Sequence, residues 1–314
     1  MSQTDALSDL LNTIELNAHT YFCNHFNKPW GIEITSKDVG IFHIVVDGIC
    51  WLQEPGKQIV KLMPGDIVLF PTGGAHWISY SPGNDRLDGD YVVSKMQLGE
   101  NVFSHEQTEG IAADRLNTLL CGQFSYDHSF SHPFLKELPC FIHLQIRNKP
   151  RYEWLSNITR HLAQEALNMT PGSSIMVDKL TEVMFIQIMR EYMESLEASN
   201  QEGFFRALKD PQVGLALNLI HADEAGEERV ETLRAKVGLS KTAFTERFTE
   251  LVGMAPKSYI LNLRMHKARN LLETTQLNMA RIAEKAGYSS EAAFSKAFKQ
   301  YHQITPGKVR KASS

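Results

Sequence analysis

With 314 residues, 43% hydrophobic and 22% charged, the chain is long enough for two folded domains and has the composition of an ordinary soluble protein. No apolar run approaches the ~20 residues of a membrane helix, and Met1 to Leu16 carries Asp5, Asp9 and Glu15 without a basic leader; this argues against a spanning or secreted chain, so a cytoplasmic location with no membrane partner is expected. The net charge of −4 hides a division: from Arg229 onward 16 Lys and Arg face 6 Asp and Glu, a balance of +10, which leaves about −14 on the first 228 residues.

Cys23, Cys50, Cys121 and Cys140 are widely and irregularly spaced with no CxxC pair, so they read as reduced thiols rather than a disulfide framework. Residues 20 to 105 hold short β-like runs (31–35, 41–46, 49–52, 59–62, 67–70 and 77–80) punctuated by Gly, Pro and Asp, which suggests an antiparallel sandwich or barrel. Pro64-Gly65-Asp66 leads into the apolar run Ile67 to Phe70, and Pro71-Thr72-Gly73-Gly74-Ala75-His76 leaves it. This segment is similar to the second cupin motif at Gly65, Pro71, Gly73 and His76, although Tyr80 stands where that pattern has asparagine. Of the first cupin motif only His43 survives, with Val45 in place of a second histidine. A catalytic cupin metal needs three or four ligands, so no catalytic residue is assigned. His43, His76, Cys121 and His132 remain candidate ligands of a Zn²⁺ site; the competing reading makes them core or surface side chains satisfied by hydrogen bonds. Even without metal, a cupin-like barrel offers an apolar interior for a small-molecule effector.

After Pro150 the period changes. Leu155, Ile158, Leu162, Ala166 and Met169 predict one amphipathic helix ending at Thr170-Pro171-Gly172, and Ser173 or Ser174 opens a second running to about Ala198. The second helix carries one stripe at Val177, Leu180, Met184 and Ile188 and another at Val183, Ile186, Met189, Met193 and Leu196. Two stripes need two partners: the outer one packs either on a second copy of the chain or on the protein's own barrel. Residues 199–203 form a polar linker, and Asp210-Pro211 caps and starts the next helix.

The basic end contains one pattern twice. Val237-Gly238-Leu239-Ser240, Phe244, Phe248, Gly253, Pro256 and Tyr259 are matched by Ala286-Gly287-Tyr288-Ser289, Phe294, Phe298, Gln303, Pro306 and Val309, offset by 49 residues up to the serine and 50 beyond it. Each copy predicts a helix ended by a left-handed glycine and a second helix opened by a serine cap, Ser240 or Ser289, which is a helix-turn-helix. The buried Phe pairs turn Lys241, Thr242, Thr245 and Glu246 outward in the first copy, and Ser290, Glu291, Ala292, Ser295 and Lys296 in the second, where they can reach base edges. A joining helix from Pro256 to Glu273 buries Leu261, Met265, Ala268 and Leu272, while Lys257, Arg264 and Lys267, with Lys299, are expected at phosphates. Its ~27 Å length suits two recognition helices about one turn of DNA apart.

The motifs GLSKTAFTERFTELVGMAPKSYI and AGYSSEAAFSKAFKQYHQITPGKVR resemble the AraC/XylS family of bacterial transcription regulators over the last ~100 residues. One departure is Gln303, where the family pattern has glycine. The resemblance implies an α+β multidomain chain: a cupin-like β-barrel sensor (1–148), a helical dimerisation hairpin (149–200), a linker (201–211) and an all-α double helix-turn-helix domain (212–314). It implies a sequence-specific, effector-responsive regulator that binds double-stranded DNA as a homodimer and engages RNA polymerase where it acts as an activator. The competing function is a metal-dependent cupin enzyme carrying an accessory DNA-binding domain, and a third is an architectural DNA binder without a ligand.

Overall fold

The computed structural model describes residues 5–14, 16–104, 116–126, 132–197 and 203–312. Their contacts divide the chain into two compact units: Leu16–Tyr126 with Leu138–Tyr192, and Met1–Glu15 with Asp127–Glu137 and Met193–Ser314.

The first unit is built on ten strands: β1 (Asn17–Asn27), β2 (Gly31–Ile34), β3 (Gly40–Asp47), β4 (Cys50–Gln53), β5 (Val60–Leu62), β6 (Asp66–Phe70), β7 (His76–Ser79), β8 (Leu87–Asp88), β9 (Leu116–Ser125) and β10 (Ile142–Gln145). They form two five-stranded sheets, β1-β9-β3-β6-β10 and β5-β4-β7-β2-β8. The expected barrel is therefore corrected to two sheets, since no hydrogen bonding among the described residues closes them into a ring. Alternation along the strands sends Ile41 and Val45, Val68 and Phe70, and Leu119 and Cys121 into one buried cluster with Ile32, Leu52 and Ile78 of the other sheet. The opposite face of β3 and β9 is buried too: Phe42 packs at a tilt against Phe124 (4.9 Å between centroids), and Phe124 against Phe185 (4.6 Å). Phe185 lies on helix α5 (Ser173–Glu197), which forms the hairpin with α4 (Glu153–Leu167); a further helix, α2 (Gly89–Gln97), packs on β1 and β2. Burial on both faces is why 40–45 is buried throughout and its apolar run is interrupted only by His43.

The turns around β6 do what the glycine pattern implies. Gly65 sits at φ +90°, and Gly73, at φ +68°, could not carry a Cβ, which would lie 2.1 Å from the Lys37 carbonyl oxygen. In the hairpin, the second apolar stripe is partly a misreading. Met189 is fully buried and Val183 exposed, because α5 turns Val177, Met184, Phe185, Ile188 and Met189 inward together. Leu196 lies outside the residues whose side chains are described.

The second unit is helical: α1 (Ala6–Thr13), α3 (Pro133–Lys136), α6 (Phe204–Lys209), α7 (Val213–His221), α8 (Val230–Lys236), α9 (Lys241–Val252), α10 (Pro256–Thr274), α11 (Met279–Lys285), α12 (Glu291–His302) and α13 (Pro306–Ala312). Both helix-turn-helices are present, as α8–α9 and α11–α12, with Gly238 at φ +70° and Gly287 at φ +79° in the turns. Phe244, Phe248, Phe294 and Phe298 are fully buried, each contributing roughly 2–3 kcal/mol of transfer free energy. The joining helix α10 has 19 residues, about 28 Å. It buries Ile260, Leu263, Met265, Ala268 and Leu272, whereas Leu261, expected in the stripe, is 40% exposed.

Candidate nucleic-acid interface and sensor cavity

The recognition helices begin at their serine caps. Ser240 Oγ accepts from the Ala243 amide at 3.2 Å, and in the second copy Ser290 Oγ accepts from the Ala293 amide at 3.2 Å. The cap of α12 is therefore Ser290 and not Ser289: the extra residue of the second copy lies before the helix, so the counterpart of Ser240 is 50 residues on. Lys241, Thr242 and Glu246 are exposed on α9, and Glu291, Ala292, Lys296 and Lys299 on α12, with Thr245 and Ser295 half-buried at the edge of each face. The Thr245 hydroxyl donates to the Lys241 carbonyl at 2.9 Å, which leaves its methyl and oxygen lone pairs outward. Lys257 is exposed at the start of α10. These are the side chains a major groove and its phosphates could meet.

Two expected phosphate contacts are engaged inside the unit. Arg264 donates from Nη2 to Asp223 Oδ2 (3.1 Å) and to the Glu228 carbonyl (2.7 Å), with its side chain only 16% exposed. Its guanidinium also closes on Gly287, where an added Cβ would come 2.9 Å from Nη1. Arg264 thus ties the loop before α8 to the turn of the second helix-turn-helix. Lys267 Nζ binds Asp9 Oδ2 of α1 at 2.8 Å and the His221 carbonyl at 3.0 Å. Spacing along α10 placed both on one face correctly, but it could not reveal that α1 and the 223–228 loop cover that face.

Beneath Lys267 runs a buried polar chain that no sequence signal announced. His221 Nδ1 lies 2.7 Å from Asp9 Oδ2, His221 Nε2 lies 2.6 Å from Tyr259 Oη, and His132 Nε2 lies 2.9 Å from the same hydroxyl. The direction is fixed from one end: the Phe134 amide donates to His132 Nδ1 (3.1 Å), so His132 Nε2–H donates to Tyr259. Tyr259 Oη–H then donates to His221 Nε2, and His221 Nδ1–H to the Asp9 carboxylate. Burial holds both imidazoles below their ordinary pKa, so they are neutral, and pushes the Tyr259 phenol up. The Asp9 carboxyl is held low, burial being outweighed by His221 and Lys267.

His132 therefore belongs to the helical unit, and the four-ligand metal set is corrected. His43, His76 and Cys121 do meet in the sheet unit, each at least 97% buried. The Gly74 carbonyl accepts from His76 Nδ1–H (2.7 Å), which makes His76 Nε2 an acceptor for His43 Nε2–H (2.8 Å) and His43 Nδ1 an acceptor for the Cys121 thiol (2.9 Å). Burial pushes His43 well below its ordinary value and His76 down to about 4, while it drives the Cys121 thiol up, so all three are neutral. This set does not fit Zn²⁺. His43 faces its two partners with opposite ring nitrogens, and two imidazoles on one tetrahedral Zn²⁺ hold their nitrogens about 3.3 Å apart, too far for the direct contact seen here. Among the described residues no group of three or more His, Cys, Asp or Glu side chains could hold a metal ion.

Beside this cluster lies a small cavity of about 40 Å³, which opens into a mouth that brings the empty space to about 500 Å³, between β1, β2, β3, β9 and α2. Isoleucine, valine and phenylalanine side chains supply its apolar wall, with His43 and Cys121 in its lining and Thr35, Lys37 and Asp90 among its polar residues. No helix among the described residues is long and apolar enough to cross a membrane.

Comparison with known proteins divides the chain into two contiguous stretches, the first of which includes the segments 5–14 and 132–137 that pack with the helical unit. The Cupin family profile matches residues 5–194 and a helix-turn-helix domain profile matches 233–312. The HTH-type transcriptional regulator AlkR of Acinetobacter baylyi is 30% identical over 98% of this chain and 100% of its own, and MtrA of Neisseria gonorrhoeae is 26% identical over 98% of each. Among solved structures, the DNA-binding domain of AdpA in complex with a target DNA is 28% identical over 33% of this chain and 92% of its own, with a TM-score of 0.31. End-to-end similarity to regulators sets aside the metal-dependent cupin enzyme.

Proposed function

Because the chain belongs to the AraC family of helix-turn-helix transcription regulators, we propose that it is a cytoplasmic, effector-responsive regulator that reads a specific DNA sequence through α9 and α12. The observation that carries this reading is the pair of serine-capped helices, each with its Phe pair buried and a polar face exposed. Lys241, Lys257, Lys296 and Lys299 carry no ion pair among the described residues and supply the phosphate contacts. Thr242, Thr245 and Glu246 on α9, and Glu291, Ala292, Ser295 and Lys296 on α12 with its cap Ser290, face the bases. None is an arginine able to grip guanine bidentately, so the backbone carries much of the affinity.

The sheet unit takes the effector, and the hairpin makes the homodimer through the apolar side chains it leaves in solvent, Trp154, Met176 and Val183, which are 50%, 53% and 39% exposed. RNA polymerase is a further partner if the protein activates. The test is selection of a duplex from a random library by the full chain, followed by titration in salt. Lys241→Ala and Lys299→Ala each lower the log-log salt slope by ~0.9, and Thr245→Ala and Lys296→Ala alter base preference at single positions by ~1–3 kcal/mol. No retention of any duplex at low salt, or an enriched pool without a consensus, rules the proposal out.

A further inference from the structure

The sheet-unit cavity carries information about what its occupant has to be. Phe22, Ile32, Ile34, Ile41, Val92 and Val93 supply its apolar wall. Among the described residues the buried polar groups that reach it are already committed to one another, and the exposed Thr35 hydroxyl stands apart at the rim. Cys121, His43, His76 and the Gly74 carbonyl form a closed series in which every donor has an acceptor. The Tyr21 hydroxyl is bonded to Gln123, and Lys37 is paired with Asp90 at the mouth, so the two charges cancel. Burial and the nearby Asp90 push the Tyr21 phenol up to about 12, so it too is neutral.

Among the described residues an incoming charge finds no counter-ion here that is not already paired, and beyond the Thr35 hydroxyl at the rim a polyol finds no side-chain donor or acceptor it can use without orphaning another. Either loss is that of a buried polar group without a partner. An apolar body displaces only water from aliphatic surface, which is favourable in proportion to the area covered.

We propose that the effector bound by the sheet unit is an uncharged, apolar small molecule, not a carboxylate, a sugar or a metal ion. This rests on the effector reading above and narrows it to one chemical class. α2 carries Val92 and Val93 on one side of the cavity and Asp90 at its mouth, so the ligand bridges α2 and β2, and the helix is the element that senses occupancy.

Three probes of one ring size test the class on the full-length protein: cyclohexane, cyclohexanecarboxylate and glucose, each followed by thermal unfolding. Val93→Trp fills the cavity, and Thr35→Trp, at an exposed rim position, blocks the mouth without burying anything, so at least one variant folds. Cyclohexane raises the unfolding temperature of the parent by ~2–4 °C and that of the variants by less than 1 °C, while the other two probes shift neither. A cavity-dependent shift by the carboxylate or by glucose overturns the chemical class and leaves the effector reading standing. Cyclohexane shifts that persist in both variants place binding elsewhere and overturn the proposal. If no probe gives a cavity-dependent shift, the apolar-ligand proposal is overturned, while the effector reading stands.

Discussion

Tyr259→Phe removes one oxygen from the centre of the buried polar chain and nothing from its apolar packing. The ring keeps its contacts with Phe248 and Phe204, at 5.7 and 6.3 Å between centroids. His221 Nε2, in a side chain that is 1% exposed, loses its donor and cannot change tautomer without giving up the Nδ1–H bond to Asp9. His132 at the same time loses the acceptor it faces. One orphaned buried acceptor costs about 1–3 kcal/mol and the second broken bond about 1 kcal/mol more, so the helical unit is destabilised by roughly 2–4 kcal/mol. Urea unfolding of the full chain measures this as a fall in midpoint at constant slope. Asp9→Asn acts on the same chain, so the double variant departs from additivity by more than ~0.5 kcal/mol. A loss under ~0.5 kcal/mol for Tyr259→Phe, or strict additivity with Asp9→Asn, refutes a continuous, fully satisfied network.

Arg264→Ala breaks the tie between the Asp223 loop and the Gly287 turn; it lowers stability by ~2–3 kcal/mol and leaves the salt slope of DNA binding within ~0.3 of the parent, whereas a slope change of ~0.9 would return Arg264 to the phosphates. Gln303, at φ +60°, ends α12 in the left-handed region, so Gln303→Gly raises stability by about 1 kcal/mol in urea, and a loss of stability would mean its side chain matters more than its backbone. Met189→Glu puts a charge in the core and unfolds the sheet unit, while Met176→Glu with Val183→Glu leaves it folded and converts dimers to monomers in sedimentation; a parent that is monomeric at micromolar concentration defeats the second half. His43, His76, His132 and His221 all have folded pKa values below the unfolded 6.5, so the unfolded chain binds protons that the folded one refuses and their stability is full above pH 6.5 and lost as pH falls toward the folded values. At pH 5 each still-neutral imidazole subtracts about 2 kcal/mol, and an unfolding temperature that does not change from pH 7 to 5 would contradict neutral burial.

What the sequence made legible was whatever is encoded locally. Gly238, Gly287 and Ser240 fix their own turns and caps within a few residues, and the Phe pairs name the buried face of α9 and α12 by spacing alone. Gly65 and Gly73 likewise marked the ends of β6. Errors arose where a side chain's partner comes from far along the chain. Nothing near Lys267 indicates that Asp9, more than 250 residues earlier, neutralises it, and nothing near His132 indicates Tyr259. For His43, His76 and Cys121 proximity was readable but chemistry was not, because which ring nitrogen meets which neighbour depends on strand register: His43 lies opposite Cys121 across β3 and β9. Spacing put Met189 in a stripe without naming its partner, and the residue is buried within the chain because α5 turns it inward with Phe185 and Ile188.

The chain passes between its two units four times, at Glu15/Leu16, Tyr126/Asp127, Glu137/Leu138 and Tyr192/Met193. Regulators of this kind invite splicing at the linker, joining the ligand-binding half of one parent to the DNA-binding half of another. A splice near Gly203 would take α1 and α3 from the first parent and their seat from the second. Asp9 would have to find a histidine where His221 stands, Glu137 an amide where Phe204 begins, and the Ala6 amide a side-chain acceptor where Asn218 lies. Hybrids cut there start with a mismatched core, and transplanting 5–14 and 132–137 together with the helix-turn-helix pair is what keeps the graft whole.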